Sequence, residues 1–311
     1  MSEGAVIDSY PLSPLQQGML FHRLEGSNVG VDIEQMVGEL HETVDVELLT
    51  AAWQRVADRH PILRTRFRWA GVDAPEQEVL DHVTATVAVH DIQHLASDEQ
   101  DATFRTFMSD DRRTGFELDA APLWHLTLFR LAATEHRFVF TYHHSLLDTS
   151  VVWAVEEAFR EYDALRAGTE APVEERLAYR DHILWLHDHL IADREAAAEY
   201  YRELLDGFDE PNRLKALERH EKLTDTDLGY GAMRFRLSIE LSEAIHRTAA
   251  ELRINPPVIV EAAWALVLSS FSGSPDVVFG STRGCRRSGL PGSDRTMGLF
   301  INTPPVRIVV D

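Results

Sequence analysis

Two adjacent histidines, His143 and His144, are the residues of this chain best suited to chemistry. They end a run of β-branched and aromatic residues at 138–142, which predicts a β-strand. Successive side chains of a strand point to opposite faces, so the two imidazoles cannot share one role. A neutral imidazole near pH 7 can take a proton from an attacking nucleophile. We expect one chemical and one structural histidine, although on spacing alone a structural or surface role for the pair stays open.

A carboxylate, Asp148, follows four residues after His144 and is the second candidate. It can orient an imidazole or hold the loop that leads into the next helix. Its possible cationic partners are Arg64 and Arg66 on a predicted strand, and Arg283, Arg286 and Arg287 in a Gly- and Arg-rich loop at 283–295. Each arginine taken alone is equally explained as a solvated surface charge.

The sequence does not favour a nucleophilic serine, a nucleophilic cysteine or a metal site. The sequence Gly-Ser-Thr-Arg-Gly at 280–284 has its serine in the wrong place for a nucleophile elbow. Cys285 is the only cysteine; its Arg-rich loop could stabilise a thiolate, but an incidental role is open. His182 and His189 share a helix face seven residues apart, which is too far for one metal ion, so we expect no metal. If the chain is an enzyme, a histidine acting on the substrate's own nucleophile is the simplest scheme.

The composition restricts the partners that the chain can bind. Its formal net charge is -21, so no surplus of Lys and Arg is available to neutralise nucleic-acid phosphates or an anionic membrane surface. A single cysteine excludes an internal disulfide framework. The chain shows no signal peptide and no apolar run of the ~18 residues that a membrane span needs. We expect a cytoplasmic protein that binds neither nucleic acid nor membrane.

Strands and helices alternate along the chain, which favours an α/β fold with a mixed sheet and flanking helices. Ser13 and Gln16 form a capping box with Pro14 at the first helical position, and Asp45 can cap a second helix. Helices are predicted at 14–24, 46–60, 97–114, 150–167, 174–205, 241–252 and 257–271. Strands are predicted at 31–40, 63–69, twice within 76–89, and at 122–131, 136–144, 233–239 and 276–281, with a last element at 297–310. The polar stretch at 207–231 is the best linker candidate.

Six stretches of the chain combine into one pattern. His143-His144-Ser145-Leu146-Leu147-Asp148 is its centre. The others are YPLSPLQQGMLFH at 10–22, RHPILRTRF at 59–67, Tyr179-Arg180-Asp181 with Trp185, Val278-Phe279-Gly280 with Arg286, and MGLFINT at 297–303 with Arg307. This pattern resembles the condensation domains of nonribosomal peptide synthetases, in the chloramphenicol acetyltransferase-like superfamily, whose central motif is His-His-x-x-x-Asp-Gly. The resemblance runs from about Tyr10 to the last residue, and the joint pattern is highly specific.

The resemblance implies a V-shaped fold of two acetyltransferase-like lobes with a tunnel between them. It implies an N-terminal lobe at 1–206, a linker at 207–231, and the start of a second lobe at 232–311, which is incomplete because the chain stops after the fifth motif. The implied reaction forms an amide between a carrier-bound acyl or peptidyl thioester, the donor, and a carrier-bound aminoacyl acceptor. Donor and acceptor peptidyl carrier proteins and adjacent synthetase domains are the implied partners. Their phosphopantetheine arms deliver the substrates, and no intrinsic cofactor or metal is implied.

The resemblance also implies roles for the site residues. His144 would assist attack by the acceptor amine, while His143 and Asp148 would be structural, with Arg286 at the position that forms a salt bridge to Asp148. The candidate tunnel-lining residues are Thr149, which stands where the motif has glycine, and Asn302. A β-branched residue at position 149 could narrow the tunnel. The alternatives are an epimerisation or ester-forming relative, and a non-catalytic carrier-docking or scaffold piece.

Overall fold

The chain, seen in a computed structural model, forms two units. The structure describes residues 4–25, 30–213, 235–287 and 289–311. The first unit comprises Met1–Ile191 and Gly284–Asn302, and the second comprises Ala192–Arg283 and Thr303–Asp311. Residues 284–302 therefore group with the N-terminal part of the chain. The domain boundaries predicted from the sequence stay a prediction, and residues 214–231 of the predicted linker lie outside the described residues.

The first unit contains most of the strands. They are β1 (Val6–Pro11), β2 (Ile33–Leu40), β3 (Thr65–Arg68), β4 (Glu76–Leu80), β5 (Val87–Asp91), β6 (Trp124–Ala132) and β7 (Glu135–His143). Its helices are α1 (Pro14–Glu25), α2 (Val46–Arg59), α3 (Ser97–Thr114) and α4 (Val151–Ala167), and α5 (Tyr179–Leu205) begins in this unit. The helices at 14–24, 97–114 and 150–167 are thus confirmed to within one residue at each end.

The second unit is smaller. It contains α6 (Ile239–Leu252), α7 (Pro256–Ser272), β8 (Asp276–Gly280) and β11 (Pro305–Val309), while the two-residue strands β9 (Arg283–Gly284) and β10 (Ile301–Asn302) lie at its sequence boundaries. β8 and β11 pair antiparallel, with Arg307 opposite Val278. The last predicted element, at 297–310, contains two strands, β10 and β11.

A four-stranded mixed sheet, in the order β2-β7-β6-β5, carries the histidine pair. β6 and β7 form the predicted hairpin, and only the β5–β6 pair is parallel. β2 lies on the other side of β7, and its first residue, Ile33, pairs with His143. A separate antiparallel sheet has the order β1-β4-β3. These sheets confirm the predicted α/β class with a mixed sheet and flanking helices.

Helices cover both faces of this mixed sheet. On one face Trp53 of α2 stacks on Phe140 of β7, with ring centroids 4.6 Å apart. On the other face Val139 packs in a smaller cluster with Phe129 and Phe107, the latter from α3. Alternate residues of β7 therefore enter different cores, as the strand pattern predicted. The same alternation places His143 on the face covered by α3.

Two predicted strands are wrong in part. The strand predicted at 63–69 begins with a 3₁₀ turn, Pro61–Arg64, and only Thr65–Arg68 is extended. Proline fixes the backbone angle that starts this turn. The strand predicted at 233–239 is also incorrect in its described part, because residues 235–238 have no regular structure and Ile239 begins α6. The Ser238 hydroxyl accepts the N–H of Leu241 at 3.2 Å and so caps that helix.

The length and polarity of the helices bear on a membrane location. Among the described residues, no single helix is long and apolar enough to cross a membrane. α6 and α7 have the length and apolar composition of a membrane span only when they are taken together. The chain bends by 104° at the break between these two helices.

Candidate active site

The turn after β7 fixes the backbone of both histidines. The N–H of His143 donates to the carbonyl of Leu123 at 3.0 Å, and the N–H of His144 donates to the carbonyl of Asp32 at 2.7 Å. The N–H of Leu146 then returns to the carbonyl of His143 at 3.0 Å. Backbone on both sides of β7 therefore holds this segment, residues 143–148, which we call the histidine turn.

His143 is buried and neutral. Its Nδ1 lies 3.2 Å from the backbone N–H of Ser145 and 2.7 Å from the Ser145 hydroxyl. A backbone N–H can only donate, so Nδ1 is the unprotonated nitrogen of this imidazole. Burial first, and the neighbouring His144 second, lower the pKa of His143 from 6.5 to about 3. These contacts are those of a structural group.

His144 has the opposite tautomer. Its Nδ1 lies 2.8 Å from the carbonyl oxygen of Leu147. A carbonyl can only accept, so Nδ1 carries the proton, and Nε2 of the neutral imidazole has a free lone pair. The side chain is only partly buried. Nε2 of His144 is therefore equipped to take a proton from a substrate.

Asp148, the last residue of the histidine turn, contacts a segment that is distant in sequence, residues 298–300. Its carboxylate accepts the N–H of Ser150 at 2.9 Å and the N–H of Phe300 at 3.0 Å, and it pairs with Arg286. The Asp148 N–H donates to the carbonyl of Gly298 at 3.3 Å. Asp148, with 4% of its surface exposed, therefore connects the start of α4 to residues 298–300.

Arg286 is held as firmly as its partner. Its Cζ lies 4.8 Å from the ring centroid of Trp153 and 4.4 Å from that of Phe300. The guanidinium also donates to the carbonyl of Gly298 at 3.2 Å. Two aromatic faces and a buried carboxylate thus surround this guanidinium. The expected Asp148–Arg286 ion pair is thus present in the structure.

The other arginines considered as partners of Asp148 lie elsewhere. Arg64 donates to backbone carbonyls, Arg66 pairs with Glu78, Arg283 pairs with Glu261, and Arg287 is exposed. The pairing with Asp148 proposed for Arg64 and Arg66 is therefore wrong. The 3₁₀ turn directs the Arg64 side chain onto the carbonyl of Ala57 at 3.0 Å.

A buried glutamine connects the first helix to the histidine turn. The Gln16 side chain accepts the N–H of Ser13 at 2.8 Å, which confirms the predicted capping box. It also donates to the carbonyl of Ser145 at 2.9 Å and contacts the Gln77 amide. Sequence reasoning gave Gln16 only the capping role. Its position among the apolar residues of α1 was the available signal that it is buried.

The two candidate tunnel-lining residues, Thr149 and Asn302, are both exposed. Among the described non-glycine residues only Arg253 has a left-handed backbone, so Thr149 does not adopt a conformation that requires glycine. The tunnel-lining role of Thr149 and Asn302 stays a prediction.

Metal ligands and a reactive thiol are the remaining kinds of chemistry. The described residues contain no group of three or more His, Cys, Asp or Glu side chains that could hold a metal ion. The pKa of the Cys285 thiol is raised, by partial burial first and by the Asp148 carboxylate second. Its surroundings therefore do not favour a thiolate.

Comparison with known proteins gives the same family as the motifs. The Condensation domain family matches residues 6–311. A linear gramicidin synthase from Brevibacillus parabrevis is 38% identical over 306 residues, which cover 97% of this chain and 4% of that protein. A mycosubtilin synthase from Bacillus subtilis is 32% identical over 308 residues, covering 98% of this chain and 12% of that protein. The chain thus spans a small fraction of these relatives.

Solved structures show the same fold. The first condensation domain of the calcium-dependent antibiotic synthetase, in complex with a substrate analogue, aligns with a TM-score of 0.79 at 19% identity, covering 99% of this chain and 71% of that one. A complex of the X-domain and OxyB from teicoplanin biosynthesis aligns with a TM-score of 0.77 at 24% identity, covering 99% and 67%. With its match over residues 6–311, the chain belongs to the Condensation domain family.

Proposed function

We propose that this chain forms an amide bond in nonribosomal peptide synthesis. The donor is an acyl or peptidyl thioester on the phosphopantetheine arm of one carrier protein. The acceptor is the amine of an aminoacyl group on the arm of a second carrier protein. Membership of the Condensation domain family and similarity to gramicidin and mycosubtilin synthases support this proposal. The chain would work beside other synthetase domains and need no cofactor or metal of its own.

The bond from His144 to the Leu147 carbonyl carries the mechanism. With Nδ1 protonated and bonded at 2.8 Å, Nε2 is the nitrogen that can accept a proton. The acceptor amine attacks the thioester carbonyl carbon, the C–N bond forms and the C–S bond breaks. Nε2 takes a proton from the attacking nitrogen and returns it to the leaving sulfur, so His144 ends unchanged. No covalent intermediate with the protein is formed.

The remaining site residues hold His144 in place. We assign structural roles to His143, Asp148 and Arg286, which fix the turn from both ends. Thr149 and Asn302, both exposed, would lie along the path of the substrates. A general base held in place by such contacts supplies the orientation that bimolecular attack otherwise lacks.

The test uses this chain with a donor-loaded and an acceptor-loaded carrier protein. His144→Ala is expected to lower the rate of amide formation by at least about 100-fold, the usual contribution of a general base. Asp148→Asn should reduce both the rate and the stability to urea, whereas His144→Ala should reduce the rate alone. The product is identified by intact mass and by chiral analysis of the released peptide.

His246→Ala is the matched control. Its imidazole also places Nδ1 on a backbone carbonyl, that of Ser242 at 2.7 Å, but it is exposed on α6. We expect this variant to retain the full rate. An ester or an inverted stereocentre in the product would favour the corresponding relative of the family, and carrier binding without turnover would favour a docking piece.

A further inference from the structure

A small cavity lies beside the histidine turn, within the first unit. It has a volume of about 230 Å³. The end of α1 forms one wall through His22 and Arg23, and the residues that lead into β2 form another. The C-terminal end of α3 and the His143 side chain complete it. Sites for drug-sized ligands have volumes of roughly 300–1,000 Å³, so this cavity suits a smaller group.

Asp32 is the acidic residue in the wall of this cavity. Its backbone carbonyl accepts the N–H of His144 at 2.7 Å, so its position relative to that histidine is fixed by the main chain. Its carboxylate is partly buried. Burial raises the pKa of Asp32, and nearby His144 and His22 oppose that rise. A partly buried carboxylate is costly unless a cation or hydrogen-bond donor meets it.

The arginines of the cavity wall already have other partners. Arg23 pairs with Glu117 at 3.3 Å, and Arg113 pairs with Asp110 at 3.0 Å. In the part of the chain that the structure describes, the Asp32 carboxylate has neither a side-chain hydrogen bond nor an ion pair. The cavity therefore presents one negative group that a bound cation could contact.

We propose that Asp32 binds the amino group of the acceptor and positions its nitrogen beside His144. This inference rests on the proposed function, which supplies an amine as the nucleophile. An α-amino group has a pKa of about 7.7–8.0 and is largely an ammonium at neutral pH. A charge-assisted bond from that ammonium to Asp32 would hold it in the cavity. Asp32 would then distinguish amine-bearing acceptors from acyl groups without an amine.

The test measures binding rather than turnover. Two probes are compared by calorimetry at neutral pH: alanyl-aminopantetheine, which carries the amine, and propionyl-aminopantetheine, which lacks it. We expect the wild-type chain to bind the amine-bearing probe about tenfold more tightly, as a charge-assisted hydrogen bond would give. Asp32→Asn should abolish this preference, and Asp32→Glu should retain part of it. The backbone carbonyl that contacts His144 is unchanged in both variants.

Glu34→Gln is the matched control, because it removes a neighbouring negative charge that does not line the cavity. It should keep the preference for the amine. The inference is overturned if the wild-type chain shows no preference, or if Asp32→Asn retains it.

Turnover separates this inference from the proposed function. If Asp32→Asn forms the amide with the same KM for the acceptor as the wild-type chain, the role of Asp32 is overturned and the proposed function is not. A wild-type chain that prefers the amine-bearing probe in an Asp32-dependent way, yet forms no amide, would contradict the proposed function and support the role of Asp32.

Discussion

The two adjacent imidazoles differ because each Nδ1 meets a different backbone group. At His143 it meets the N–H of Ser145, and at His144 it meets the carbonyl of Leu147. Strand alternation predicts from the sequence that the two histidines have different roles. It does not predict which nitrogen carries the proton, since that depends on the backbone group two or three residues further on. Residue types alone therefore left the role of the pair open.

The buried state of His143 predicts a dependence of stability on pH. The pKa is about 3 in the folded chain and 6.5 in the unfolded one. Between these values the unfolded state binds more protons, so stability is full above about pH 6.5 and falls as the pH decreases toward 3. The unfolding equilibrium constant should rise up to about tenfold for each pH unit in this window. Urea denaturation at about pH 5 and about pH 7 measures this change.

Variants assign the effect to His143. His143→Gln removes the titrating group and should reduce the loss of stability between the two pH values. His182, with a pKa lowered to about 4 by burial, leaves a residual dependence of the same sign. His246→Gln, on an exposed helix face, should behave like the wild-type chain. An equal pH dependence in His143→Gln and wild type would contradict this account.

At the scale of elements, the sequence predicted helix caps and helix ends well, but it did not predict long-range contacts. The capping box of Ser13 and Gln16, the Asp45 cap and the helix stop at Gly168 follow from residues within one turn, and all are present. The bond from Gln16 to Ser145 spans 129 residues. No periodicity reports such a contact, because it arises only when the sheets and helices have packed. The sequence therefore predicts the helices and strands better than the contacts between them.

Gly298 lies at a long-range contact, with Tyr179, that leaves no room for a side chain. A Cβ at this position would overlap the ring of Tyr179. Tyr179 is buried, and its hydroxyl donates to the carbonyl of Leu299 at 2.8 Å, so the ring cannot move without losing that bond. We expect Gly298→Ala to lower the free energy of unfolding by about 1–3 kcal/mol, the usual cost of overpacking. Urea denaturation measures this difference.

Gly18→Ala is the matched control within α1. A Cβ there would meet nothing within 4 Å, and alanine is favoured over glycine inside a helix by about 0.5–1 kcal/mol. This variant should therefore be slightly more stable than the wild-type chain. A neutral Gly298→Ala would show that residues 297–300 adjust to Tyr179 at no cost, contrary to our account of the segment.

At the scale of the whole molecule, alternating strands and helices were enough to predict the α/β class. That alternation did not predict that residues 284–302 group with the N-terminal unit. This grouping is accompanied by the Asp148–Arg286 ion pair and by the bonds from Asp148 and Ser150 to residues 298–300. Residue types alone left five arginines as possible partners of Asp148, and the motif resemblance singled out Arg286.

The two units should differ in local stability, and two helices of similar length test this. α2 buries Leu49, Ala52, Trp53, Val56 and Ala57, whereas α7 buries only Ala265 and Leu268. α7 is the more apolar helix, so composition alone would make it the better protected. Burial sets the free energy of local opening, so we expect amide exchange protection at least about tenfold higher in α2. Hydrogen exchange followed by mass spectrometry, corrected for intrinsic rates, measures it, and equal protection in α2 and α7 would contradict the assignment.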